Sequence, residues 1–305
     1  MKVFVTGVNG QVGHDVMNEL ARRNIEGIGS DLKPVYSGVA DGSAVTAMPY
    51  VALDITDKEA VHKAITGIHP DVAIHCAAWT AVDMAEDDDK VELVRRVNAE
   101  GTQNLADACK AVNCKMMYIS TDYVFNGLGT EPWQPDCKDY APLNVYGKTK
   151  LEGELAVANT LDKYFIVRIA WVFGLNGNNF INTMLNAGKK FPELRVVNDQ
   201  IGTPTYTLDL ARLLADMIET EKYGYYHATN EGGYISWYEF ACEIFKQAKY
   251  DVKVTPVTTA EYGLSKARRP FNSRLEKSKL AENGFTPLPV WQDAVKRYLQ
   301  ELKIQ

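Results

Sequence analysis

No stretch of the 305-residue chain approaches the ~18–20 consecutive apolar residues that a membrane-crossing helix needs. The opening "MKVFVTGVNG" breaks at a glycine after a handful of apolar positions, so it reads as a buried strand and not as a secretory leader. A cytoplasmic location is the expectation, with no membrane partner. Cysteine is scarce: the five residues (76, 109, 114, 137 and 242) are odd in number and lack metal-like spacing, which excludes a disulfide scaffold and argues for reduced thiols. Cys109 and Cys114 stand five apart with no histidine pair to complete a zinc site. Nor is there a compact set of carboxylates to hold a metal. No metal-binding residues are assigned, and a magnesium ion, if one takes part, has no ligands readable from the sequence. Positive charge is also in deficit, 33 Lys and Arg against 39 Asp and Glu for a formal charge of −6, so a general affinity for nucleic acid is excluded. An anionic ligand must be met by a local cluster. Repeats, low-complexity tracts and a clean linker are absent as well.

What is present is the composition of a globular protein, 46% hydrophobic and 24% charged, long enough for one large domain or two lobes sharing a core. In the first half, short apolar runs alternate with helix-length amphipathic stretches: "KVFVTG", "IEGIGSD", "YVALD", "DVAIHCAA", "KMMYISTD" and "YFIVRIAWVFG" are the strand candidates. Runs that are apolar throughout and rich in Val and Ile, with helices between them, predict a parallel sheet covered on both faces. The fold class is therefore α/β, a doubly wound parallel (Rossmann) sheet with a smaller, interwoven α/β lobe. The expected division is 1–170 for the dinucleotide-binding domain, with about 205–228 returning to it, and 171–305 for the substrate lobe. A long helix is expected from about Glu86 to Val112, its acidic "EDDD" serving as a solvated cap.

"TGVNGQVG" places Gly7, Gly10 and Gly13 between the first strand and the first helix. Gly7 allows the tight turn, Gly10 lets backbone approach a pyrophosphate, and Gly13 lets helix and strand pack closely, with helix-end N–H groups facing the phosphates. A merely convenient turn is the bland alternative; the position at the first strand–helix junction favours a dinucleotide. Asp31 stands 18 residues past Gly13, where a carboxylate accepts bonds from a ribose 2′-hydroxyl and repels a 2′-phosphate. The cofactor reading is NADH or NADPH with a lean to NADH, tempered by Lys33 two residues on.

"NVYGKTKLEGEL" sets Tyr146 four places before Lys150, one above the other on a helix face. Among 16 tyrosines the spacing recurs once, at Tyr262 and Lys266, so it is weak by itself. Tyr146 wins because it follows the fifth strand, at the carboxyl end of the sheet where such folds bind ligands. A phenol with a pKa of ~10 is a poor acid near neutrality, and an adjacent ammonium is expected to bring it down. Thr121 can donate to a carbonyl oxygen becoming an alkoxide. Ser120 competes for that role.

"AAWTAVDMAE", "VNAEGTQNLA", "ISTDYVFNG", "PLNVYGKTKLEGE", "RIAWVFG", "QIGTPT" and "RRPFNSRL", with the glycine loop, resemble the dTDP-4-dehydrorhamnose reductase family of extended short-chain dehydrogenases/reductases. The matches run in order from residue 3 to about 275. The resemblance implies hydride transfer from a reduced nicotinamide to C4 of a dTDP-4-dehydro-L-rhamnose, with Tyr146 giving the proton and Lys150 holding the nicotinamide ribose. It implies that Asn98 supports the lysine, and that Asn9, Gln11 and Val12 of the loop contact the cofactor. Asp54 and Ile55 would meet adenine, a helix cap being the alternative for Asp54, and Ala77, Ala78 and Thr80 would lie along the cofactor. Val82, Asp83, Asp122 and Trp171 fall on the sugar side, Trp171 with core filling as its rival reading. The basic cluster Lys266, Arg268, Arg269 and Arg274 suits a diphosphate, against the alternative of a solvated loop, and Gln200 shapes the same pocket. Residues 32–49 form a longer insert than this family leads one to expect, either covering the adenosine end or meeting another subunit; a homodimer is compatible with this. Two other readings stay open: a sugar-nucleotide epimerase or dehydratase of the same family, and a non-catalytic subunit like methionine adenosyltransferase β.

Overall fold

In the computed structural model, which describes residues 1–304, the apolar runs become strands β1 (Lys2–Thr6), β2 (Glu26–Asp31), β3 (Tyr50–Ala52), β4 (Val72–His75), β5 (Lys115–Thr121) and β6 (Tyr164–Ile169). Short strands β7 (Val172–Phe173), β8 (Glu193–Val197), β9 (Ile201–Gly202) and β10 (Thr205–Tyr206) precede β11 (Gly224–His227), β12 (Ile235–Ser236) and β13 (Lys253–Val257). The main sheet runs β3-β2-β1-β4-β5-β6-β11, and every neighbouring pair is parallel. Strand order reverses between β1 and β4, which opens a crevice beyond their carboxyl ends.

Helices α1 (Gln11–Arg22), α2 (Lys58–Ile68), α3 (Val91–Arg95), α4 (Gly101–Ala111) and α5 (Val145–Thr160) connect the first six strands. The long helix expected after Glu86 is interrupted: a 3-10 turn at Met84–Glu86 precedes α3, and a π-helical turn at Arg96–Glu100 separates α3 from α4. That extra residue per turn swings Asn98 inward, where it is 1% exposed. Both faces of the sheet are dry. Val3, Val5, Ile74 and Phe165 pack on one side, Phe4, Ala73, Met116 and Ile166 on the other, each full burial of a large apolar side chain stabilising by about 1.5–3 kcal/mol.

After β6 come α6 (Phe180–Gly188), α7 (Thr207–Ile218), α8 (Trp237–Ala248), α9 (Thr259–Tyr262), α10 (Ser278–Glu282) and α11 (Trp291–Glu301). The chain then alternates between layers. Leu210, Leu213, Leu214 and Met217 of α7 join the core that α1 covers, and β11 extends the main sheet beside β6. Between them, α6, α8 (through Phe240) and α11 close over Phe173 and Tyr206, while β8 pairs in parallel with β13 as a separate two-stranded sheet.

The 32–49 insert is tied down by side chains that look unremarkable in the sequence. Ser37 N–H donates to Asn9 Oδ1 at 2.8 Å, Val39 N–H to Asn176 Oδ1 at 2.8 Å, Val45 N–H to Asn18 Oδ1 at 2.9 Å, and Tyr36 Oη meets His14 Nδ1 at 2.7 Å. The insert thus lies against α1 and the glycine loop. Among the described residues no helix is long and apolar enough to cross a membrane.

Candidate active site

At the β1–α1 junction Gly7 has φ +75°, and a Cβ there would stand 2.5 Å from the Ala77 nitrogen; one on Gly13 would collide with the Gly7 carbonyl. Side chains are excluded at both points, so backbone itself forms the floor. Helix α1 begins at an N-cap glycine, Gly10, without a side-chain cap or an acidic residue in its first turn, leaving its leading N–H groups for an anion. Nearby, Asn9 Nδ2 and Ser30 Oγ are buried without partners. Polar atoms so placed fit a ligand's own donors and acceptors.

This floor belongs to a cleft of about 1000 Å³ lined by Gly7, Asn9, Gly10, Gln11, Val12 and Gly13. Asp31, Asp54, Ile55, Ala77, Ala78 and Thr80 line it further along. Asp31 accepts from Asn9 N–H at 3.0 Å and from Leu32 N–H at 2.8 Å, which fixes the carboxylate at the end of β2. Asp54 accepts from the N–H and hydroxyl of Thr56 at 2.9 and 2.8 Å. The helix cap of α2 is instead Asp57. Among the described residues no group of three or more His, Cys, Asp or Glu is placed to hold a metal ion.

At the other end of the cleft Thr121, Tyr146 and Lys150 come together. Thr121 ends β5; Asn144 caps α5 by accepting from Gly147 N–H at 2.8 Å, and so presents Tyr146 and Lys150 from the first turns. Lys150 is 3% exposed, donates from Nζ to the Ile119 carbonyl at 2.7 Å and sits 4.0 Å over the Tyr118 ring. Burial pulls its pKa down to about 7, against the opposing pull of Glu154 and Cys76. Burial likewise pushes the Tyr146 phenol well above its ordinary range; a hydrogen bond with Thr121 works downward and the Asp122 carboxylate upward. The expectation that the lysine charge brings the phenol down is therefore corrected. The ammonium is engaged by Ile119 and Tyr118, and desolvation governs the phenol.

Ser120 and Thr121 are distinguished by their partners. Ser120 Oγ donates to Glu154 Oε1 at 2.5 Å, whereas Thr121 Oγ1 donates to Asp122 Oδ1 at 3.0 Å at the cleft wall. Asp122 is 2% exposed, its other oxygen has no partner, and burial raises its pKa to about 6. Asn98 accepts from Trp79 N–H at 2.8 Å and donates to Thr149 Oγ1 at 3.1 Å, the residue before Lys150. It braces the lysine's helix without reaching the ammonium.

Val82 and Trp171 also line the cleft. Trp171 takes a left-handed backbone, φ +51°, and stacks on Trp237 with centroids 3.7 Å apart and planes at 17°. Trp237, at the start of α8, is a lining residue that no motif marked. By contrast Asp83, Gln200, Arg268, Arg269 and Arg274 do not line the cleft. Arg269 grips Asp83 through two bonds at 3.0 and 2.7 Å, Lys266 pairs with Asp87, Arg274 donates to Asn272 Oδ1 at 3.0 Å and Gln200 to Thr259 Oγ1 at 3.0 Å, while exposed Arg268 accepts at its carbonyl from Asn144. The basic run is a strap fastened to the acidic turn at 83–87, and "EDDD" is correspondingly more than a solvated cap.

A glycine-floored crevice at the strand-order switch, with threonine, tyrosine and lysine meeting at its far end, defines a dinucleotide-dependent oxidoreductase of the short-chain dehydrogenase/reductase class. The chain belongs to the family described as RmlD substrate binding domain, which matches residues 1–304. It is 39% identical to a dTDP-4-dehydrorhamnose reductase of Streptomyces griseus, over 96% of this chain and 91% of that one. Among solved structures, a dTDP-4-dehydrorhamnose reductase of Clostridium acetobutylicum superposes with a TM-score of 0.89 at 42% identity, covering 99% of this chain and 100% of the other. The Bacillus anthracis dTDP-4-dehydrorhamnose reductase in complex with NADP gives 0.88 at 40% identity, with coverage of 99% and 100%.

Proposed function

We propose that the protein reduces the C4 ketone of dTDP-4-dehydro-L-rhamnose to dTDP-L-rhamnose with NAD(P)H, with Tyr146 as proton donor. The observation that carries this reading is the meeting of Thr121, Tyr146 and Lys150 at one end of the glycine-floored cleft. A bound reduced nicotinamide supplies the hydride to the carbonyl carbon. The chain supplies the rest: Thr121 donates a hydrogen bond to the ketone oxygen as it gains charge, and Tyr146 delivers the proton to that oxygen. Lys150, positively charged below about pH 7 in the unliganded protein, orients the ribose through its ammonium. Gly7 and Gly13 keep the pyrophosphate floor free of side chains, while Val82, Asp122 and Trp171 hold the sugar.

NADH is the preferred cofactor in this reading, because the carboxylate of Asp31 lines the glycine-loop part of the cleft and, among the described residues, Lys150 is the only Lys or Arg lining it. The test follows oxidation of NADH and NADPH by absorbance with dTDP-4-dehydro-L-rhamnose. Tyr146→Phe is expected to lower kcat by about 10²–10⁴-fold with NADH binding intact. Undiminished turnover in that variant removes Tyr146 from the proton step, and a lower KM for NADPH than for NADH overturns the cofactor preference.

A further inference from the structure

Beneath the site lies an ion pair with no access to water. Glu154 and Arg168 are each 0% exposed. Glu154 Oε1 accepts from Arg168 Nε at 2.8 Å and Oε2 from Nη2 at 2.7 Å; Arg168 also donates to the Pro135 carbonyl at 3.0 Å and to Tyr140 Oη at 3.2 Å. Its guanidinium lies 4.9 Å from the Phe125 ring and 4.8 Å from that of Tyr225. A buried ion pair is a poor means of stabilising a fold, since apolar side chains of similar volume often do as well. Its placement suggests another use.

Glu154 follows Lys150 by one turn on the same face of α5. It also accepts from Ser120, which stands between Ile119, whose carbonyl receives the Lys150 ammonium, and Thr121. Three successive residues of β5 thus link the ion pair, the lysine and the threonine. The groups facing Lys150 are few: Tyr146 and Glu154 of its own helix, His75 and Cys76 at the end of β4, Tyr118 of β5, and Arg168 of β6 behind Glu154. Burial pushes His75 down to about 3 and Cys76 up to about 12, and holds the Tyr118 phenol well above its ordinary range. All three are neutral at working pH. Glu154 is therefore the carboxylate that acts on Lys150, ahead of a smaller pull from Cys76 and against a burial that favours the uncharged amine.

We infer that Glu154, held by Arg168, is a positioning residue that keeps the charge on Lys150 and fixes the strand end presenting Thr121. The inference rests on the role proposed for Lys150. Because Glu154→Gln alone strands a buried guanidinium, the informative variant is Glu154→Gln/Arg168→Gln, which removes both charges together. Its kcat is measured against pH beside wild type, Glu154→Asp and Lys150→Met, with NADH binding followed by fluorescence. The alkaline limb of the double variant is expected to fall about one pH unit lower, equivalent to about tenfold less turnover on that limb, with NADH binding at pH 6 retained. Glu154→Asp, which keeps the charge, is expected to hold the wild-type limb. An unmoved limb in a double variant that binds NADH overturns the inference, as does failure of that variant to fold, which assigns the pair to the scaffold. Wild-type turnover by Lys150→Met would instead sink the underlying role of the lysine; an inactive Lys150→Met with an unmoved limb sinks only the positioning role.

Discussion

At the scale of single residues, the site depends on which of two neighbouring hydroxyls is free to work. Ser120 is committed to Glu154, whereas Thr121 stands at the cleft, where it accepts from Tyr123 N–H at 3.2 Å and donates to the adjacent Asp122, from which its hydrogen can turn toward a substrate oxygen. Thr121→Val is isosteric and removes that donor, together with the acceptor that caps Tyr123 N–H. It is expected to lower kcat by about 10²-fold, the scale of losing one oxyanion donor, while KM for NADH holds; stopped-flow absorbance would check it, and an unchanged kcat would exclude the hydroxyl from the reaction. Tyr146 was separable from Tyr262 in the sequence because position in the fold, and not spacing, discriminates them; Tyr262 lies on short α9, 38% exposed. The Arg269–Asp83 pair was not legible. Its partners are 186 positions apart, so each charge run could be read only by its own sign.

Among the elements, α1 leads out of the glycine floor and is seated on α7 by a buried acid. Thr207 Oγ1 donates to Asp15 Oδ2 at 2.5 Å, and burial raises the Asp15 carboxyl to about 7, outweighing the Thr207 bond that works downward; Glu301 and Asp41 add to the rise. A carboxyl whose folded pKa lies above its unfolded value keeps its proton in the fold, so its contribution to stability is whole below about pH 4 and is lost as pH climbs to about 7. Asp15→Asn mimics the neutral acid. It is expected to match wild type in thermal unfolding at pH 4 and to exceed it at pH 8 by about 4 kcal/mol; equal melting at both values would show that Asp15 ionises freely. The strands and α1 were legible because their signals, apolar runs and a glycine turn, are local. The break between α3 and α4 was not, since a π-helical turn needs no glycine or proline to announce it.

The whole molecule is threaded, not hinged. Strand β11 completes the main sheet at β6, and α7 covers the face that α1 shares, although both follow residues of the other lobe. We propose a division in which 1–170 depends on about 205–228 for closure. A 1–170 fragment is accordingly expected to lack cooperative unfolding and fixed near-ultraviolet dichroism, because the edge of β6 and the α1 face are bare; a sharp thermal transition in that fragment would refute the dependence. The two indoles of Trp171 and Trp237, meanwhile, lie nearly face to face in the wall of the cleft. Chromophores so close share their excited states, so the resting protein is expected to carry a circular-dichroism couplet, and a ligand that parts or tilts the rings is expected to change it, giving an optical readout of occupancy that needs no label and no turnover.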